Sequence, residues 1–340
     1  MKKFKKPSFI LTAILALSML AVGCASNNTS KVNSGEAASS ENVTVKIGIQ
    51  GSGGLFGKAR EEQWFEQEFE KLGAKVEWIE FQSGPPMTEA IASNKLDIAS
   101  LGNMPVIAGQ AANIPFKIIS QALEGKNNVA VIVPADSTAG SLADLKGKKI
   151  AVTKGSNAYN FLYRGFAESG LKDSDFEIIQ LQPDETQSAF ENGGVDAWAT
   201  WDPYITLNTL TGKGKVLTDG EQMGVLSPSF TIARTAFADE HPELVTLYLK
   251  AVNKALKWET DNEQEALERY AAERSISTDV IKGTFERSRT INIPVSEDII
   301  NEMQKTADFQ YEIKNIRSQV EIRKITDNQY IEAALKEPLE

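Results

Sequence analysis

Asp196-Ala197-Trp198-Ala199-Thr200-Trp201-Asp202-Pro203-Tyr204 is the stretch on which the fold of this chain turns. Residues 195–200 form a short strand-like run, and Pro203 is placed to open a helix. A strand end followed by a helix is where open α/β sheets put their ligands. Trp198 and Trp201 are therefore either core, as large aromatics mostly are, or the wall of a site.

The same alternation of strand and helix runs outward from there. Upstream, strands are expected at 43–49, 75–81, 97–101 and 116–123, with helices at 58–72, 87–93 and 104–112 between them. Nearer the opening stretch, strands at 149–152 and 176–181 are separated from each other and from 195–200 by helices at 157–169 and 185–192. Residues 216–217 add one more short strand. Such alternation means parallel sheets covered by helices. Two extended runs, 128–134 and 230–233, stand apart from both series. From His241 onward the pattern is almost wholly helical, over 242–259, 263–274, 278–289 and 297–311. The expected fold is α/β: two lobes joined by two crossover strands, a cleft facing the strand C-termini, and a helical C-terminal part. Lobe 1 takes 43–130 and 231–340, lobe 2 takes 131–230, and the two extended runs are the expected hinges.

The N-terminus is of a different kind. Four lysines within 1–6 precede an almost wholly apolar run at 9–22, too short for an ordinary bilayer span, so 1–23 reads as a secretory signal. Leu20-Ala21-Val22-Gly23-Cys24 resembles a bacterial lipoprotein signal box, which implies cleavage before Cys24 and lipidation of its thiol. Cys24 is the only cysteine, so there is no disulfide and no cysteine-based metal site. Residues 24–42, rich in Ser, Asn, Ala and Gly, read as a flexible tether. The expected location is the extracytoplasmic face of the cell membrane, held there by lipid. Loss of the signal's four lysines takes the formal charge from −10 to −14. That balance argues against nucleic acid as a partner.

The glycine-rich run 51–57 fails both nucleotide patterns. Ser52 stands where a phosphate loop needs its first glycine, Ala59 where it needs a hydroxyl, and Phe56 where the dinucleotide fingerprint needs its third glycine. It keeps only the general ability of small residues to let backbone amides approach a ligand. Gly155-Ser156-Asn157 precedes a helix, and Ser and Asn are ordinary N-caps. Exposed amides at a helix start beside a hydroxyl and a carboxamide also make a seat for an anion. Leu101-Gly102-Asn103-Met104-Pro105 and Gly84-Pro85-Pro86 read chiefly as turns and caps at helix starts. His241 is the only histidine, at a helix entry, so hydrolase constellations lack their base or ligands. Neither catalytic residue, metal site nor cofactor is expected.

Taken together, these residues resemble the lipoprotein substrate-binding proteins of ABC importers for aliphatic sulfonates, taurine and nitrate. Ile47-Gly48-Ile49-Gln50 carries the likeness, as do Glu77-Trp78 through Phe81 with Gly84-Pro85-Pro86 and Glu89-Ala90. Asp97-Ile98-Ala99 with 101–105, and 155–158 with 195–204, complete it. The likeness spans residues 43–289, and the Trp-Ala-Thr-Trp-Asp-Pro run is most like the sulfonate branch. It implies a type II periplasmic-binding fold. Ligand contacts are implied from Gln50, Ser52, Asn103, Met104, Ser156, Asn157, Ala158, Trp198, Trp201 and Asp202. The family often has an acid where Asn103 stands and a histidine near Tyr159, and this chain has neither. The implied protein is a monomer that is not an enzyme. It captures a small organosulfur anion and passes it to membrane permease subunits. Nitrate, a pyrimidine or vitamin precursor, or lyase action on a small acid are the alternatives on the same fold.

Overall fold

Alternating burial along the first strand shows how the sequence lays down its core. In the computed structural model, which describes residues 43–339 apart from Ser52, Val45, Ile47 and Ile49 of β1 (Val43–Gln50) enter one apolar cluster. The signal, the tether and the lipidation expected at Cys24 lie outside the described residues, as does Ser52.

After β1 come α1 (Gly54–Glu61), α2 (Trp64–Glu70), β2 (Ala74–Phe81), α3 (Gly84–Ala92), β3 (Ile98–Gly102), α4 (Asn103–Ala111) and β4 (Phe116–Leu123). A second series follows: β5 (Val129–Pro134), β6 (Lys149–Val152), α5 (Asn157–Glu168), β7 (Glu177–Gln180), α6 (Pro183–Glu191), β8 (Ala197–Trp201), α7 (Tyr204–Leu210), β9 (Gly214–Asp219) and α8 (Gly220–Met223). The chain then returns through β10 (Ser229–Arg234), α9 (Thr235–Glu240), α10 (Pro242–Asp261), α11 (Glu263–Arg274), α12 (Thr278–Arg287), β11 (Thr290–Ile293), α13 (Glu297–Glu312), α14 (Ile322–Ile325) and α15 (Gln329–Lys336).

The strands form two sheets, in the orders β11-β4-β10-β3-β1-β2 and β7-β6-β8-β5-β9. β1 runs parallel to β2 and β3, and β6 parallel to β7 and β8, while β10 and β5 run antiparallel to their neighbours. Each sheet carries an apolar cluster on both faces, the signature of a covered α/β sheet. This is the two-lobed α/β architecture expected from the sequence.

The lobes repeat one device. Lys46 N–H donates to Asp97 Oδ2 (3.0 Å) and Asp97 N–H donates back to Lys46 O (2.9 Å). In the other sheet Lys149 N–H donates to Asp196 Oδ2 (2.9 Å) and Asp196 N–H to Lys149 O (2.9 Å). An aspartate just before the central strand thus clips the strand beside it in both lobes. Arg234 reinforces the first clip through a 2.6 Å pair to Asp97 Oδ1.

Three expectations change. The extended runs 128–134 and 230–233 are not free hinges, because both are interior sheet strands with partners on two sides. The crossings are the short segments 124–128 and 224–228. The glycine run does not stay a loop: α1 starts at Gly54, and the Gly54 N–H donates to Glu273 Oε2 at 2.6 Å. A Cβ on Gly53 would sit 2.2 Å from the same oxygen, so the backbone's close approach is to a carboxylate of this chain. Finally, the helical remainder contains a strand, β11, which pairs antiparallel with β4.

Candidate functional site at the ends of the strands

The parallel strands of both sheets end at one cavity of ≈ 120 Å³. Gln50 closes β1, Gly102 closes β3, Leu123 closes β4 and Trp201 closes β8. Gly84, Pro105, Ser156 and Asn157 come from the starts of α3, α4 and α5. Asn128 comes from the first crossing, Ser229 from the start of β10, Asp202 from the turn after β8, and Thr284 and Ser288 from the end of α12. Three helix N-termini therefore face the space, each presenting the positive end of its dipole.

The start of α5 is the best developed of them. Ser156 is its N-cap, with Oγ accepting from Tyr159 N–H at 3.2 Å. Among the described residues no protein acceptor reaches the N–H groups of Asn157 and Ala158. The Asn157 amide and the Ser156 hydroxyl, both on the cavity wall, are thus left to bind an anion, while Ala158 is wholly buried. Among the described residues the lining contains no lysine, arginine or histidine, and its one ionisable side chain is Asp202.

Asp202 is already occupied. Oδ1 accepts from Thr206 N–H (3.0 Å) and Thr206 Oγ1–H (2.6 Å), and Oδ2 pairs with Arg287 Nε (2.9 Å). Burial pushes its carboxyl above the ordinary aspartate range, and the Thr206 hydrogen bonds and Arg287 pull it back. Its role in the structure is to fix the turn into α7 and to hold α12 against it.

Of the ten positions expected at the site, the structure brings Gln50, Ser156, Asn157, Trp201 and Asp202 to the cavity wall. The other described ones stand behind it. Trp198 is 1% exposed and packs with Ala130, Ile132 and Phe190 on the opposite face of the sheet. Its ring contacts Phe190 and Tyr204, with centroids 6.1 and 5.1 Å away. Ala158, in the first turn of α5, is wholly buried, and Met104 is buried in the core around β3. Asn103 is buried too, with Oδ1 lacking a protein partner among the described residues.

Sequence reasoning missed Asn128, Ser229, Thr284 and Ser288. The last two sit in a helical stretch whose pattern looks like any solvated helix, and only the return of α12 to the hinge makes them lining residues. Among the described residues there is no cluster of three or more His, Cys, Asp or Glu able to hold a metal, and no helix long and apolar enough to cross a membrane.

Residues 58–266 match the model of the family described as NMT1/THI5 like. The chain belongs to that family. It is 42% identical to a protein of Bacillus subtilis (strain 168) named for binding aliphatic sulfonates, over 98% of both chains. A protein of the same description in Escherichia coli (strain K12) is 31% identical, over 84% of this chain and 89% of its own length. Among solved structures, the alkanesulfonate-binding protein SsuA from Xanthomonas axonopodis pv. citri, bound to MOPS, superposes with a TM-score of 0.78. It is 29% identical, with 85% of this chain and 99% of that one covered. The fold is thus the periplasmic-binding fold, as the family likeness implied.

Proposed function

We propose that this protein is the extracytoplasmic solute-binding component of an ABC importer, capturing aliphatic sulfonates between its lobes and delivering them to the membrane permease. The observation that carries the reading is the start of α5. It offers the unpaired Asn157 amide and a serine hydroxyl, with Trp201 completing the same cavity. A sulfonate has three equivalent oxygens to accept those donors, and its alkyl tail has an indole face to lie on. Neutral donors suit an anion that must be released again, because they stabilise it without a full ion pair. The relatives named for sulfonate binding support the same ligand class.

The protein acts by binding and performs no reaction. Gln50, Ser156, Asn157, Trp201 and Asp202 frame the ligand, with Asn103, Met104, Ala158 and Trp198 behind them and Ser52 as a further contact. Cys24 carries the lipid that holds the monomeric protein at the outer face of the membrane, with 24–42 as tether. Lobe 1 comprises residues 43–123 and 229–339 and lobe 2 residues 129–223, bounds a few residues from those expected, with closure about the crossings delivering the ligand.

Calorimetry with ethanesulfonate, taurine, nitrate, sulfate and an aminopyrimidine tests this reading. Tight binding is expected for an alkanesulfonate or taurine and none for sulfate. Heat with nitrate or the pyrimidine alone would move the assignment to that ligand, and silence from all five would end it.

A further inference from the structure

Gly102 has no backbone reason to be glycine. Its φ of −65° and ψ of 162° are values open to any residue. Yet a Cβ at this position would lie 2.2 Å from Asn157 Oδ1 and 2.5 Å from Asn157 Cγ. Gly102 ends β3 in the first sheet, and Asn157 opens α5 beside the second. The missing methyl is therefore room for a side chain of the opposite lobe.

Asn157 uses that room with both ends of its carboxamide. Oδ1 accepts from Met104 N–H at 3.1 Å, and Nδ2 donates to the carbonyls of Ser227 (3.2 Å) and Pro228 (3.3 Å) on the second crossing. Met104 N–H lies in the first turn of α4, where no backbone acceptor within the helix exists. Asn157 thus serves one lobe by capping a helix of the other. Its own backbone N–H, meanwhile, is one of the two unpaired amides at the start of α5.

We infer that the Asn157 carboxamide and the notch at Gly102 form a latch that holds the lobes closed and couples closure to filling of the Asn157 amide. Asn157 is in this sense a positioning residue: its side chain belongs to the lobe interface, and its backbone to the ligand. The latch explains a glycine that its backbone conformation does not require. Its ligand half rests on the sulfonate reading above; its closure half does not.

The test uses the full chain and the variants Gly102→Ala, Asn157→Ala and the double variant. Two readouts are taken: calorimetry with ethanesulfonate, and hydrogen exchange of the Met104 amide with and without ethanesulfonate. Gly102→Ala should melt like the wild type, lose roughly a hundredfold or more in affinity, and exchange Met104 faster. Asn157→Ala should lose about tenfold, as expected for a few lost hydrogen bonds. The double variant should bind like Asn157→Ala alone, because removing the carboxamide empties the notch for the methyl. A Gly102→Ala protein that binds normally, or losses that simply add in the double variant, overturns the latch. So does equal Met104 exchange in wild type and Asn157→Ala under both conditions. If Gly102→Ala fails to fold, Met104 exchange in Asn157→Ala still decides. If the wild type gives no heat with ethanesulfonate but Asn157→Ala still speeds Met104 exchange, the ligand reading has failed and the latch stands.

Discussion

Trp198 and Trp201 are three residues apart on one strand, and that odd spacing settles their roles. Side chains on a strand alternate faces, so residues i and i+3 must point to opposite sides of the sheet. One ring therefore had to join the cluster with Ala130 and Ile132, and the other had to face the α5 side. The alternation was legible in the sequence. Which face carried the cavity was not, because it depends on where α5 and α12 close over the sheet. The two rings should respond differently to removal. Trp198→Ala should cost about 3–5 kcal/mol of stability, the range for a deleted core aromatic, seen as a large fall in melting temperature. Trp201→Ala should leave melting nearly unchanged and weaken ethanesulfonate binding about tenfold by calorimetry. Matching losses of stability in both variants would mean that Trp201 is core as well. Asn157 was legible in part: its type and place announced a cap or an anion seat, but its partners, Met104 and Ser227, come from elements far away in sequence.

Helices α10 and α11 meet at a buried acid. Glu259, near the end of α10, is 7% exposed, and Oε2 accepts from Tyr270 O–H of α11 at 2.8 Å. Burial raises its carboxyl above the usual glutamate range, while the Tyr270 hydrogen bond and Arg289 draw it down. A raised value in the folded state means that the folded chain binds this proton more tightly than the unfolded chain does. The stabilisation is complete below the unfolded value of about 4.3 and is lost as pH rises through the folded one. Glu259→Gln keeps an acceptor for Tyr270 and cannot ionise. The melting temperature of the variant minus that of the wild type should therefore be near zero at about pH 4 and grow in the variant's favour as pH rises. A difference that stays flat with pH would show that Glu259 titrates normally. The long helices of this region were plain from their 3.6-residue periodicity. The four-residue strand β11 was not: Thr290-Ile291-Asn292-Ile293 alternates, but over too short a run to stand out among helices, and it pairs with the edge that β4 offers.

At the scale of the molecule, the sequence showed two α/β series and two passages between them, but it placed those passages on the wrong residues. Apolar runs such as 128–134 look like linkers when they stand outside a helix–strand rhythm. They are strands because antiparallel neighbours, distant in sequence, take up their backbone groups. The true crossings are short, the first polar and the second largely apolar, and Gly125 lies at the heart of the first. It has φ +76°, and a Cβ there would sit 2.2 Å from Pro228 N and 2.4 Å from Pro228 Cα. Those are backbone atoms that cannot step aside. Gly125→Ala should cost about 2 kcal/mol or more in a thermal melt, from the left-handed conformation and the collision together. A variant that melts with the wild type would mean that the two crossings do not touch.

They touch through more than van der Waals contact. Ser227 N–H donates to Gly125 O at 2.8 Å, Asn128 Nδ2 donates to Ser227 O at 3.2 Å, and Gly125 N–H is held by Ser288 Oγ at 2.9 Å. Two ribbons stitched side by side behave like a door hung on a pair of aligned straps. They bend easily about the line that runs through both, and they resist shear and twist. The lobes then travel along one arc, so cargoes of different length are told apart by how far along that arc the door comes to rest.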